Sequence, residues 1–380
     1  MEGAMNNTGG TDMRESARAS AWKVPAALLA VLMIAAGTRS ASANEAEWKA
    51  LVAKGKQEGK VVLAGPPFRE LREALTDGFQ KAHGITLEYL AIGPGELVPR
   101  VEREQASGRP SMDVLVGGAR SAYILYERGV REPLAPKLVM PEVEDKSKWR
   151  PGQLLWLDKE RQYLLRTANW LFGGILINTD HVKAESITSW QDLLKPEFKG
   201  KIASLDPRPP GPGQASAQVV WFRFGDKYIA DLYKGQNVTI VRDPRQIVEQ
   251  VARGIYPIAL GAVQINIEQF RREKFPLQVI YPKDHPGFVT GGWSVSQLLR
   301  NSPNPNAAAV FVNWLASKQG QEIYSRVMME RSLRNDVSDQ GIPEYTMPQP
   351  GVKYLDQYST EWVSDTWPKS ADKLIEILGR

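Results

Sequence analysis

Five short loops carry the residues of this chain whose types suit chemistry, and each follows an apolar run: Gly65-Pro66-Pro67-Phe68-Arg69, Gly117-Gly118-Ala119-Arg120, Asp206 through Gln214, Gly261 through Gln264, and Gly291-Gly292-Trp293-Ser294. The chemistry they fit is recognition rather than bond breaking. The guanidinium forks of Arg69, Arg120 and Arg208 match a carboxylate or phosphonate. Glycines such as Gly118 let the backbone approach a ligand closely. The third loop, stiffened by Pro207, Pro209, Pro210 and Pro212, runs into a helical stretch whose first N–H groups make an anion-binding end near Gly213, Gln214 and Ser216. Trp170 and Trp293 can close a wall over a solute by stacking or apolar contact.

Each assignment has a plainer counterpart. Arg69 also fits a solvated cation at a helix start, the proline-rich loop a rigid connector, and either tryptophan a core residue. An opposite ligand charge also fits: Asp206 and Asp243 could face a cationic, polyamine-like solute, with Trp170 or Trp293 stacked on its amine.

Other chemistries find little support. The chain has no cysteine, so thiol catalysis and Cys metal sites are excluded. Its three histidines, His83, His181 and His285, are far apart and show no metal-ligand spacing, so no metal or cofactor is expected. There is no Gly-x-Ser-x-Gly elbow, no phosphate-binding Gly-x-x-x-x-Gly-Lys-Ser/Thr, no dinucleotide Gly-x-Gly-x-x-Gly after a strand and no His-Glu-x-x-His, which argues against an enzyme. The 48 basic and 43 acidic residues are spread along the chain without a basic tract, so nucleic acid is not an expected partner.

The elements that position these loops alternate. Apolar strand signals at Val61–Ala64, Ile85–Ile92 and Asp113–Val116 are separated by amphipathic helical stretches near Glu70–Ala82 and Glu96–Ser107. After a charged passage, a second series follows: Leu171–Asn178, Lys201–Leu205, a helix near Gln214–Tyr233, Val238–Val241, a helix near Gln246–Arg253 with Gly254 as its cap, Tyr256–Leu260 and Gln278–Tyr281. Asn304-Pro305 reads as the N-cap and first-turn proline of a helix over 306–316. The alternation predicts an α/β fold with parallel or mostly parallel sheets flanked by helices, and such sheets gather ligands beyond the carboxyl ends of their strands. At the N-terminus, Arg14, Arg18 and Lys23 precede the apolar run 24–37 and then Ala41-Ser42-Ala43, the order of a secretory signal peptide cleaved after Ala43. The apolar run is too short for a spanning helix, and no cysteine follows it to take a lipid, so a periplasmic protein is expected. The remaining 337 residues exceed what one core usually organises and point to two lobes.

The order of motifs resembles the ferric-iron-binding branch of the type 2 periplasmic binding proteins, partners of ATP-driven (ABC) importers. The resemblance rests on GKVVLAG at 59–65, MDVLVGG at 112–118, ILINTD at 175–180, SWQDLLKPEFKGKIASLDP at 189–207, VEQVARGIYPIALGA at 248–262 and SLRNDV at 332–337. It implies a monomer of two lobes closing like a hinge over a small solute, lobe I being 44–168 plus 282–340 and lobe II 169–281 plus 341–380, with an ABC permease as partner. It also implies that the five loops converge, giving Pro67, Phe68, Arg69, Gly118, Ala119, Arg120, Trp170, Asp206, Arg208, Gly213, Gln214, Ser216, Gln264, Trp293 and Ser294 as ligand-binding candidates. The iron ligands themselves are not carried over. Gln264-Ile265 stands at the position of the tyrosine pair, Phe68 at that of the histidine and Gly118 at that of the acidic ligand. A small organic anion such as a carboxylate or phosphonate is therefore the expected solute, with ferric iron, a cationic solute or a sensor-accessory role as alternatives.

Overall fold

The computed structural model describes residues 44–379; the signal-like segment lies outside them. The first of three sheets has six strands in the order Thr86–Ala91, Lys60–Gly65, Val114–Gly117, Val295–Leu298, Leu165–Arg166, Leu155–Trp156. Its first three strands are parallel, and the rest pair antiparallel. Side chains of a strand point alternately to opposite faces, and both faces are buried here. Val61 and Leu63, with Val114 and Val116, join one core with Leu71, Leu75 and Phe79 of the helix Arg69–His83. Ala64 and Leu115 join another with Leu97 and Val101 of the helix Pro94–Ala106.

The second sheet has five strands in the order Leu277–Ile280, Ile175–Asn178, Ile258–Leu260, Ile202–Leu205, Thr239–Val241. The last three are parallel, while the first two are antiparallel. The same alternation divides Ile258 and Leu260 from Ala259 between its two cores. In each large sheet the parallel pairs come from strand–helix–strand units, and the antiparallel strands include those by which the chain enters from the other sheet or returns. Both sheets are thus mixed, each with a parallel portion.

Between them lies a small sheet, Arg331–Ser332, Ala168–Phe172, Phe288–Thr290, Leu355–Asp356. The chain leaves the first sheet through Ala168–Phe172 and returns through Phe288–Thr290, and these strands pair antiparallel with Phe172 opposite Phe288 and Trp170 opposite Thr290. The single strand expected over 171–178 is therefore two. Gly173 takes φ +87°, and a Cβ at Gly174 would meet Val279 at 2.5 Å, so the double glycine bends the chain where the second sheet crowds it.

Other local expectations meet the structure in detail. In the 189–207 segment, Ser189 and Asp192 form a reciprocal capping box on a tight turn that buries Trp190 and Leu193, and the strand Ile202–Leu205 follows. Gly254, at φ +71°, follows the helix Pro244–Ala252. Asn304 stands at the N-cap of the helix Pro305–Ala316 but makes no side-chain cap. Its amide donates instead to buried Asp113 at 2.9 Å, and Asp113 also accepts from Ser302 Oγ at 2.6 Å and Val62 N at 2.7 Å. The C-terminal segment touches both lobes. Trp362 and Val363 pack with Ala119 and Tyr123 of the first, while Leu374 of the helix Trp367–Leu378 enters a core of the second.

Candidate functional site

The loops converge on one cleft. Its inner chamber, about 90 Å³, is bounded by Gly65 and Pro66, by Gly117, Gly118, Arg120 and Ser121, by the crossing residues Trp170 and Phe172, by Pro210 to Pro212, and by Gln357, Tyr358 and Trp367 of the C-terminal segment. The wider mouth opens between Pro67 and Phe68 on one side and Leu205 to Gly213 and Arg242 to Arg245 on the other, and Trp293 lines both regions.

Of the arginines, Arg120 lines the chamber, and its Nη1 is buried without a hydrogen-bond partner. Burial lowers its pKa against the pull of Glu127 and Asp372, yet a guanidinium stays protonated. The other two are engaged within the protein. Arg69 is exposed, pairs with Glu73 at 2.8 Å one helical turn on, and borders neither part of the cleft. Arg208 borders the mouth but forks onto Asp206 through Nε at 2.7 Å and Nη2 at 2.8 Å. Burial would raise the Asp206 carboxyl, but the hydrogen bonds and charge of Arg208 outweigh it and hold the carboxyl low; Arg242 adds a contact at 3.7 Å. Asp243 spends its Oδ1 capping the helix Pro244–Ala252, accepting from the amides of Arg245 and Gln246 at 2.8 Å each. Asp206 is thus paired, while Asp243, which lines the mouth, is engaged through Oδ1 alone.

The remaining candidates separate by burial. Pro67, Phe68, Gly118, Gly213, Trp170 and Trp293 border the cleft, with Phe68 edge-on to Trp293 at 5.1 Å between ring centres. Gly213 packs so tightly that a Cβ would meet the carbonyl oxygens of Leu205 and Asp206 at 2.5 Å. Ala119, Gln214, Ser216, Gln264 and Ser294 border neither region, because their polar groups or packing are used inside the fold. The Ala119 amide donates to Tyr358 Oη at 3.0 Å. Gln214 donates to Arg208 O at 2.6 Å and accepts from Trp367 Nε1 at 2.9 Å. Gln264 donates to Met328 O at 2.9 Å, and Ser294 Oγ bridges the Ala168 amide and carbonyl at 3.1 Å each. Ser216 is buried in its helix.

Sequence reasoning missed Phe172, Gln357, Tyr358 and Trp367. Tyr358 ties the walls together, accepting from Ala119 and donating to Gly292 O. It also missed Glu330, which is fully buried behind the Gly292 loop and accepts from Tyr324 Oη at 3.2 Å. Among the described residues, no three His, Asp or Glu side chains gather as a metal site would need.

Residues 74–349 match the family model for bacterial extracellular solute-binding proteins. The chain belongs to that family. This solute-binding protein is 26% identical over 291 residues to a periplasmic protein of Salmonella typhi named for 2-aminoethylphosphonate binding, covering 73% of this chain and 79% of the relative. It is 25% identical over 317 residues to the Fe(3+)-binding periplasmic protein of Serratia marcescens, covering 79% and 82%. Among solved structures it superposes on fructose-6-phosphate-bound AfuA of Actinobacillus pleuropneumoniae with a TM-score of 0.68 at 19% identity, covering 84% of this chain and 98% of that one. Iron-bound HitA of Pseudomonas aeruginosa gives 0.66 at 18%, covering 84% and 99%. The fold is thus the two-lobed type 2 periplasmic binding fold, and the protein is a periplasmic solute-binding component of an ABC importer. No helix among the described residues is long and apolar enough to cross a membrane.

Proposed function

We propose that this solute-binding protein captures a small organic anion, a carboxylate or phosphonate, by hinged closure of its lobes and delivers it as a monomer to an ABC permease, after export and cleavage behind Ala43. The carrying observation is Arg120, which borders the chamber and whose buried Nη1 has no partner within the protein, where the other two candidate arginines are exposed or already paired. A charged donor left without an acceptor is costly in a desolvated site, and an anion relieves that cost. The names of two similar proteins, carrying 2-aminoethylphosphonate and fructose 6-phosphate, support the same class. Closure follows from the two crossing strands at the floor of the cleft, the kind of hinge on which lobes rotate. No catalytic grouping suits this cleft, so a binding role without chemistry is part of the reading.

The test is a calorimetric screen of the mature chain against carboxylates, phosphonates, sugar phosphates, polyamines and ferric citrate. An organic anion is expected to bind, and Arg120→Gln to weaken it at least 30-fold, from the cost of about 2–5 kcal/mol for truncating a buried charge pair. Arg69→Ala serves as the control. Binding of polyamine or ferric iron alone, or an Arg120→Gln protein that binds the anion unchanged, overturns the proposal.

A further inference from the structure

The chamber and the mouth of the cleft differ in chemistry. The mouth carries Asp206, Arg208, Arg242, Asp243, Arg245 and Asp372. The chamber carries one charged side chain, Arg120, and no acid; its other polar groups are Ser121, Thr290, Gln357, Tyr358, three indole N–H groups and the peptide groups of its loops. Most of the side-chain groups are used within the fold. Tyr358 accepts from the Ala119 amide and donates to Gly292 O, Gln357 Nε2 donates to Ala215 O at 2.9 Å, Thr290 Oγ1 accepts from the Gly292 amide at 3.4 Å, and Trp367 Nε1 donates to Gln214. Arg120 and Ser121 stand together in the first turn of the helix Ala119–Glu127, just after its N-cap Gly118, so the polar end of the chamber is at that turn.

Much of the remaining wall is apolar. Ile92, Leu97, Leu115, Phe172 and Val263 border the chamber, are nearly inaccessible to solvent, and belong to one cluster of packed side chains. Ile92, Leu97 and Leu115 come from the first sheet and its connections, Phe172 from a crossing strand, and Val263 from the residues after the second-sheet strand Ile258–Leu260. Val219 of the helix Pro212–Ala230 joins them from the second side. The other three buried clusters each keep to one large sheet. Among the described residues, the chamber is therefore a gap in the one apolar cluster that reaches from lobe to lobe.

From this wall, and resting on the anion reading above, we infer that the solute is amphipathic: an anionic group held at the turn of Arg120 and Ser121, and an alkyl or aryl body that fills the gap. Such a body completes the cluster when both sides close on it, so burial of apolar surface itself favours the closed state. A hydroxyl or ammonium in the same place would exchange water for apolar side chains, which costs affinity. The class departs from the polar solutes in the names of the similar proteins.

Calorimetry on the mature chain compares pairs matched in shape, 2-methylbutanoate with glycerate and propylphosphonate with 2-aminoethylphosphonate, and then the series acetate, propanoate, butanoate, pentanoate. The apolar member of at least one pair is expected to bind tenfold or more tighter. The series is expected to gain about fourfold for each methylene buried until the chamber is full, from about 0.8 kcal/mol per methylene. Its binding heat capacity should grow more negative with length. Val263→Thr keeps the side-chain shape and adds a hydroxyl. This variant and Leu97→Asn, each checked for a native unfolding transition, are expected to reduce the apolar preference at least threefold, whereas Arg120→Gln weakens both members of a pair and leaves the preference. Glycerate and 2-aminoethylphosphonate binding as tightly as their apolar partners, or a preference unchanged in both wall variants, overturns the apolar seat while the anion reading stands. If 2-methylbutanamide binds as tightly as 2-methylbutanoate and Arg120→Gln changes neither, the anion reading falls, and the anionic half of this inference with it. If no compound of the set binds, both fall.

Discussion

Nη1 of Arg166 lies 2.9 and 2.8 Å from the two carboxylate oxygens of Asp356, joining a fully buried strand residue of the first sheet to the C-terminal segment. The next two residues after Asp356 are Gln357 and Tyr358, both at the chamber edge, and the Tyr358 ring lies 5.4 Å from the Arg166 guanidinium carbon. The pair therefore fixes one wall of the cleft, and Arg166 adds a bond to Ala168 O at 3.3 Å at the start of the crossing strand. Asp356→Asn leaves a buried guanidinium facing a neutral amide. Loss of one partner of a buried pair costs about 3–5 kcal/mol, and the part exposure of Asp356 puts the expected loss near the lower end. Urea unfolding of the mature chain measures it, and a change below about 1 kcal/mol would show that the pair does not hold the segment.

Gly213→Ala tests the packing at the mouth. The added Cβ meets Leu205 O and Asp206 O at 2.5 Å, and these are backbone atoms of a strand end that cannot rotate aside. The helix Pro212–Ala230 must then shift at its start, away from the Asp206–Arg208 loop. The expected result is a destabilisation of about 1–3 kcal/mol, the range for overpacking, together with weaker solute binding. Unchanged unfolding and unchanged affinity would show that the loop yields freely.

Phe68→Ala and Trp293→Ala separate the mouth from the chamber. The two rings meet edge to face, and Trp293 borders both regions, whereas Phe68 borders only the mouth. Trp293→Ala is expected to weaken solute binding more than Phe68→Ala, and intrinsic fluorescence should lose most of its ligand-dependent change in the Trp293 variant. Equal affinities for the two variants would count against a wall made by Trp293.

The lobed α/β organisation was legible because strands buried on both faces read as short apolar runs, and because Leu71, Leu75 and Phe79 mark one helix face. The convergence of loops was implied by the family resemblance rather than by any one residue. What stayed hidden was the internal use of polar groups. Arg69 and Glu73 stand four apart and advertise their pairing, but nothing near Gln264 announces Met328 O as its acceptor, 64 residues along the chain. The C-terminal wall was hidden for the same reason. Gln357 and Tyr358 are neutral residues without a motif, and Tyr358 meets Ala119 from 239 residues away. A buried amide or hydroxyl must find partners, but the sequence does not say where.

Glu330 makes the protein's stability depend on pH in an unusual direction. Burial pushes its carboxyl up to about 8, against the opposing pull of Tyr324, the Trp293 amide, Gln264 and the Arg166 charge. The nearby Tyr358 is itself buried, and the Arg166 charge is already shared with Asp356. Between the ordinary carboxyl value near 4.5 and about 8, the folded protein therefore holds a proton that the unfolded chain has lost. The folded state binds more protons there, so this residue's contribution is fully present below about 4.5, falls as pH rises toward 8 and is gone above it. The loss is at most about 1.4 kcal/mol per pH unit. Glu330→Gln keeps the shape and cannot titrate. Urea unfolding at pH 5, 6.5 and 8.5 should show the wild type losing stability relative to the variant across that range, and the difference between them isolates Glu330 from every other acid. Two parallel curves would mean that Glu330 is ionised in the folded state, its charge met by Arg166.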